Sequence, residues 1–388
     1  MSKSFKLVLL LILACLLAYP AKNKKEKEAE QPTEAAPPAE EIIDGPVEKK
    51  HPNGNIKEKG IMAGGKKNGK WEFYLESGSL QYIFNYIDNK RSGEAFGYYP
   101  SGKLNKKGVF ENEKKSGEWF EYFENGQIKT SETFTAGVQN GRYTEYSETG
   151  AKKTEGMIEN GLKTGIWSNY GPDKTLIEKL SYVTNQLAGT CFYYSSNRIL
   201  RECEYVNGAQ NGTEINYFPD GETSSRGIYT GGQKSGKWIF YSKDKTVSKE
   251  GEFKFNRQEG EWKEYYPGGK VLAAKGAYQA GKKSGLWDHF DKEGKLIMQL
   301  TWMGMTIRGN CIFYKNDKKD YEVIVKGAMD VSEINESVYD GKYIKYNTDC
   351  KEELIGNYKM GNKHGKWTYF RPDGSIEKEE NWMLGDLK

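Results

Sequence analysis

The residues able to do covalent or metal chemistry are few in this chain, and they are scattered. Three histidines, His51, His289 and His364, occur among 388 residues, each isolated from the others. A hydrolytic triad needs an imidazole beside a nucleophile and an acid, and a zinc site needs three or four converging ligands; neither can be assembled here. Gly64–Lys70 and Gly231–Lys237 mimic a phosphate loop, but Trp71 and Trp238 stand where a magnesium-binding Ser or Thr is required, and neither segment opens a helix. Carboxylates are abundant without forming a distinctive pair. The expectation is therefore a non-enzymatic protein with no catalytic residue, metal site or cofactor. The cysteines are the exception to this chemical silence. If the chain reverses near Asn197, Cys191 and Cys203 face each other, and they are then either a disulfide formed in an oxidising compartment or two small apolar fillers. Cys311 and Cys350 offer a second, less regular pairing.

The fifth cysteine belongs to a different problem. Lys3 and Lys6 precede an apolar run from Leu7 to Ala18 that is too short to span a bilayer and reads as an export signal, so residues 1–21 are expected to direct the chain out of the cytoplasm. Within it, Ile12-Leu13-Ala14-Cys15 resembles a lipobox, whose cysteine becomes the acylated first residue of a bacterial lipoprotein. Leu13 is bulky for its place and Leu16-Leu17-Ala18 stays apolar, which leaves ordinary cleavage near Ala18 or Ala21 as the alternative. Residues 22–52 are rich in Lys, Glu and Pro and too poor in apolar surface to offset their ordering entropy, the composition of a disordered tether.

Composition then constrains what these residues are mounted on. There are 45 glycines and 27 tyrosines, 29% of residues are charged, and mean hydropathy is −0.82. That mixture suits many short strands and tight turns rather than several thick globular cores. The net charge of +4 is small for this length and gives no reason to expect nucleic acid as a partner.

From residue 53 to 388 one rule holds. Taking Gly-x-Trp as a ruler, anchor glycines fall at Gly69, Gly93, Gly117, Gly141, Gly165, Gly189, Gly212, Gly236, Gly260, Gly285, Gly309, Gly341 and Gly365, with nine of twelve steps equal to 24 residues and only the step from Gly309 long. Five residues past every anchor stands an aromatic, Tyr74 in the first case and Phe370 in the last, and about seventeen past stands a second ring in most units, such as Tyr86, Phe253 and Trp382. Seven of the nine tryptophans lie two past an anchor. Glycines such as Gly78 and Gly126 mark one turn and Asn-Gly or Gly-Lys-Lys-x-Gly sequences the other, giving two strands per unit. A fixed period of this kind is the mark of a repeat architecture. The expected fold is all-β, an elongated antiparallel β-meander solenoid of about thirteen 24-residue β-hairpin repeats. Rings two and five past the anchor would face opposite sides of an undistorted strand, so either a bulge follows the anchor or both faces carry aromatics.

The pattern Gly-x-Trp-x-x-Tyr/Phe-x-x-x-Gly, as in Gly365-Lys366-Trp367 followed by Phe370 and Gly374, resembles the MORN repeat variant over nearly the whole of 53–388. The resemblance implies a scaffold or a membrane- or protein-binding platform, and some bacterial relatives carry a toxin–antitoxin label. Read with the export signal, it points to an envelope protein of the periplasm or cell surface, lipid-anchored to the outer membrane if Cys15 is acylated, that binds a protein partner. Two other readings stand beside it: a cell-wall glycan-binding aromatic array, and an antitoxin-like inhibitor, which would require a cytoplasmic chain. Lys315–Asp340 holds eight extra residues, either a projecting binding loop or a tolerated insertion.

Overall fold

The computed structural model describes residues 44–388; Cys15, the export signal and residues 22–43 of the expected tether lie outside them. One antiparallel sheet of 31 strands is formed, each strand pairing with its neighbours along the chain except where the short pieces Gln186–Leu187 and Asn362–Lys363 continue into the next strand, and with no α-helix among the described residues. The elongated meander expected from the period is what the chain builds. The first four strands set the pattern: β1 (Gly45–Lys50), β2 (Ile56–Ala63), β3 (Lys66–Tyr74) and β4 (Leu80–Ile87).

The sheet begins earlier than the sequence pattern suggests. Gly45 stands 24 residues before Gly69, and Gly45 pairs with Met62 as Gly69 pairs with Tyr86. Strand β1 is thus the first half of a fourteenth unit, so the boundary at residue 53 is corrected to Gly45. This unit lacks the aromatic period, because Val47, Lys50 and Met62 stand where the other units carry rings.

Each unit has two kinds of turn. The tight one is a two-residue reversal with both residues at positive φ, as at Asp88 (φ 47) and Asn89 (φ 66), which suits the twist of a hairpin. Its second residue donates its N–H to the unit before it: Asn89 to the Lys67 carbonyl at 3.0 Å, Gly232 to Gln210 at 2.8 Å, Gly385 to Lys363 at 2.9 Å. The wider turn closes with two backbone bonds, as Leu75 N–H to Ser79 O and Gly78 N–H to Leu75 O, both 2.9 Å.

The anchor glycine has a definite backbone job. At Gly236 φ is +59, and the other anchors share its positive φ, because the register of each strand with its predecessor slips beside the anchor, between Arg226 and Ile228 in this unit. A bulge therefore sits at the anchor, where a Cβ would be strained. A second slip separates the residues four and five past it, as between Phe73 and Tyr74. Both readings of the ring spacing hold: the strand is bulged, and aromatics occupy both faces.

A single sheet has no second layer to pack on, so its core is made within one face. Each of the seven anchor tryptophans lies flat on a glycine of the preceding strand, always eleven residues earlier: Gly60 under Trp71, Gly108 under Trp119, Gly156 under Trp167, Gly227 under Trp238, Gly251 under Trp262, Gly276 under Trp287 and Gly356 under Trp367. A Cβ on any of these glycines would come within 2.1–2.3 Å of the indole. Each indole Nε1 donates to the carbonyl of the residue after that glycine at 3.1–3.2 Å, which satisfies the one polar atom of a buried ring. In three units without tryptophan a small residue stands at its place and a larger one at the glycine's: Ala95 meets Phe84, Cys191 meets Leu180 and Cys311 meets Leu300.

The insertion folds back instead of projecting. Strand Lys318–Ala328 is the longest of the sheet at eleven residues, and two single 3-10 turns follow, Val331–Glu333 capped by Asp330 and Glu336–Val338 capped by Asn335. Val331, Ile334 and Val338 pack on the largest buried cluster, which includes Leu300, Ile307, Val323, Val325 and Trp367.

Gly251→Ala is expected to destabilise the array by about 1–3 kcal/mol through overpacking against Trp262. In a Trp262→Ala background the same change should cost far less, so local amide exchange on the four members of that double-mutant cycle measures the contact; additive losses would show the two residues uncoupled.

Candidate functional site

On the tryptophan face the aromatic cages are closed by the chain itself. A lysine two residues before the anchor places its ammonium over the indole two residues after it: Lys67 over Trp71 at 4.0 Å, Lys115 over Trp119 at 4.5 Å, Lys163 over Trp167 at 4.1 Å, Lys234 over Trp238 at 4.0 Å, Lys283 over Trp287 at 3.9 Å and Lys363 over Trp367 at 4.6 Å. The second ring of the unit forms another wall, so Lys283 also lies 5.0 Å from Trp302 and Lys363 4.9 Å from Trp382. Six of the seven anchor tryptophans are thus held between a glycine backbone and a cation, Trp262 having Gln258 in the lysine's place, and a partly desolvated contact of this kind contributes about 0.5–2 kcal/mol. Burial holds the Lys115, Lys234 and Lys283 amines below the usual lysine range. Sequence inspection missed both the lysine and the underlying glycine. A constant offset of eleven residues between glycine and tryptophan was there to be found.

The opposite face carries the tyrosines five past the anchor. Their hydroxyls donate to a residue fifteen earlier: Tyr170 to Glu155 at 2.6 Å, Tyr265 to Glu250 at 2.9 Å, Tyr314 to Gln299 at 2.6 Å, with Tyr217 to Glu202 repeating the contact. Burial and these bonds push the Tyr217 and Tyr265 phenols up to about 12. Lysines thread between the carboxylates, as Lys70 and Lys59 on Glu72 at 2.7 and 3.1 Å and Lys237 on Glu250 at 2.8 Å. Hydrogen bonds from Lys70 and then Tyr74 pull the Glu72 carboxyl down to about 2. Exposed pairs of this kind add little stability, and their effect is to neutralise the face locally.

Between these ladders the bulge opens a shallow groove, and it recurs at one place in the repeat. Near the first full unit a groove of about 370 Å³ is lined by Lys59, Ile61, Lys70 and Glu72. The equivalent positions, Lys275, Ala277, Leu286 and Asp288, line one of about 260 Å³, and Glu322, Ile324, Lys342 and Ile344 line one of about 280 Å³. Each combines an aliphatic floor with a lysine and a carboxylate; Ile61 at 53% and Leu286 at 51% stay open to solvent, whereas Ile344 is buried. Units lie about 10 Å apart, two strand spacings.

The residues singled out from sequence fall as follows. Cys191 and Cys203 are direct cross-strand partners, both buried and both free thiols. Cys311 is buried between Leu300 and Val323, whereas Cys350 is exposed in a turn, so that second pairing is corrected: the two do not face each other. His51 meets the Tyr74 carbonyl at 2.9 Å, His289 sits on the tryptophan face beside Lys283, and His364 interrupts a strand, which separates all three. No cluster of three or more His, Cys, Asp or Glu side chains able to hold a metal exists among the described residues. The two loops that mimic a phosphate cradle are tight hairpin turns leading into strands, not helices.

The fold and its two laddered faces define a β-hairpin repeat protein. The family model described as the MORN repeat variant matches five segments of it, residues 67–88, 91–112, 115–136, 258–274 and 363–383. No curated protein matches the sequence. Among solved structures, a crystal structure of TcdB2-TccC3 is 10% identical with a TM-score of 0.13, over 88% of this chain and 19% of that one. The Photorhabdus luminescens Tc holotoxin pore carrying the TccC3-D651A mutation is likewise 10% identical with a TM-score of 0.13, over 88% and 18%. The chain spans about a fifth of the length of these structures, and scores this low relate no topology.

Burial and the nearby Lys283 ammonium push His289 down to about 4. Its folded pKa lies below the unfolded value, so the unfolded chain binds the extra proton first, and the stability it contributes is full above pH 6.5 and lost as pH falls towards 4. His289→Phe should flatten the loss of local exchange protection around Ala274–Met298 across that window; an unchanged pH profile would place the acid sensitivity elsewhere.

Proposed function

We propose that this protein is a non-enzymatic scaffold of the bacterial envelope that binds a protein partner along its tyrosine face. The recurring groove carries the reading: one constellation of aliphatic floor, lysine and carboxylate, repeated in register, suits a partner presenting side chains at matched intervals. The match to the MORN repeat variant supports a repeat-based binding or scaffold role in general. A glycan- or choline-binding array is less well supported, because the aromatic cages between repeats are occupied by Lys67, Lys115, Lys163, Lys234, Lys283 and Lys363. An antitoxin-like role would require the chain to stay in the cytoplasm, against the reading of residues 1–21 as an export signal.

Residues 1–21 and the following charged stretch would deliver the array to the periplasm or cell surface, with Cys15 as its lipid anchor to the outer membrane. Detergent phase partitioning should recover the wild type in the detergent phase and lose the Cys15→Ala variant from it. Both in the aqueous exported fraction would make Cys15 part of a removed signal, and cytoplasmic retention would overturn the envelope reading.

A photo-crosslinking residue at Ile166, on the tyrosine face, should yield one adduct of discrete mass in intact cells. The same residue at Lys249, on the tryptophan face, should yield none. Isotherms against cell-wall fragments that saturate at many equivalent sites would overturn the protein-partner reading instead.

A further inference from the structure

The tryptophan–glycine sandwich recurs along the array but fails in two successive units at two places. At Gly309 and Gly341 the place of tryptophan is taken by Cys311 and Tyr343, and there the insertion compensates by laying Val331, Ile334 and Val338 over the sheet. At Gly189 and Gly212 it is taken by Cys191 and Glu214, with no inserted segment over them and only the partly buried Tyr182, Leu187, Tyr193 and Tyr205 packed against the two cysteines. The ring contacts that run along the face stop at Tyr182 and resume at Tyr229. In place of the buried indoles stand smaller or polar groups: Cys191 and Cys203 with 0% and 1% exposure, and Glu214 held by Arg201 at 3.0 Å and Gln210 at 2.6 Å. In a repeat array whose stability is a sum of unit and neighbour terms, such an interval is the weak link.

We propose that Cys191 and Cys203 form a cross-strand disulfide that staples this interval. The register places the two residues directly opposite, Cys191 on strand Gly189–Ser195 and Cys203 on strand Arg198–Val206. Directly opposed antiparallel residues have Cα atoms about 4.5–5.5 Å apart. That lies inside the span of about 4.4–6.8 Å that a disulfide bridges. The other described cysteines have no such partner: Cys311 is flanked by Leu300 and Val323, and Cys350 lies exposed in a turn. Arg201, two residues before Cys203, supplies a positive charge that favours the thiolates against the burial that disfavours them.

The oxidant is a disulfide-bearing small molecule or thiol oxidase. One thiol loses its proton and its thiolate attacks the oxidant's S–S bond, which breaks as a mixed disulfide forms. The second thiolate then displaces the oxidant's remaining sulfur. Two protons and two electrons leave the protein, and the oxidant departs as two thiols. Because both sulfurs are shielded in the closed sheet, the exchange takes place as the hairpin folds or when it opens locally.

The test refolds the full chain with oxidised glutathione as the probe oxidant, and in parallel under a reductant. Alkylation in denaturant and tryptic digestion follow. Cleavage at Arg198 and Arg201 separates the two cysteines, so the disulfide is seen as a linked peptide pair about 2 Da lighter than the sum of its reduced halves. The expected result is that pair, together with amide exchange across residues 189–217 at least about ten-fold slower than in the reduced chain, as expected when a closed loop is covalently constrained. Full alkylation of both cysteines after oxidation overturns the proposal. So does linkage of either to Cys311 or Cys350, or a disulfide that leaves exchange unchanged. The Cys15→Ala/Cys311→Ser/Cys350→Ser variant, which keeps the pair, should reproduce the result even if Cys191→Ser/Cys203→Ser fails to fold.

Discussion

A one-layer sheet has to hide its large side chains without a partner layer, and every other feature of this protein follows from how that is done. Two-layer folds bury an apolar face against another element. Here each indole is buried against the backbone of its own sheet, at a glycine whose missing Cβ makes room for it. The anchor glycine bulges the strand so that the ring can lie down, and the lysine two residues before it covers the exposed side. The unit needs its neighbour for this, because the glycine comes from the strand before.

That arrangement also decides which face is free. The tryptophan face consumes most of its own binding chemistry, since six of its seven indoles already hold a cation. The tyrosine face spends its hydroxyls on carboxylates and its carboxylates on lysines, but it keeps grooves with aliphatic floors at three of its bulges. The proposed partner site is in this sense a by-product of the distortion that makes the core.

The period, the strand pairs and the two turns were legible in the sequence because they depend on residues close together in the chain. The rings at fixed distances from the anchor marked the units, and the pivot near Asn197 sufficed to oppose Cys191 and Cys203. The underlying glycines were harder, since a glycine in a strand carries no side chain to announce its role and its tryptophan lies one hairpin away. The lysines of the cages looked like turn residues for the same reason: Lys-Lys before the anchor reads as solvated charge until the sheet brings a ring beneath it. The unit beginning at Gly45 keeps the glycine but lacks the rings, so its sequence does not carry the aromatic period. Whether the eight extra residues projected or packed depended on Val331, Ile334 and Val338 meeting a cluster drawn from strands on both sides of them, and no local pattern encodes that. The partner grooves were not legible at all, because they exist only where the bulge bends the strand.

The staple at each tight turn has a consequence for how the chain is made. Its donor comes from a later unit and its acceptor from the one just before, and strands pair only with their near neighbours along the chain. No segment therefore waits for a partner far downstream, and the entropy of closing long loops, which slows most β-proteins, is largely avoided. Each newly emerged turn can lock the unit behind it, so the sheet can grow from its amino-terminal side like a zip, at the pace at which the polypeptide is delivered.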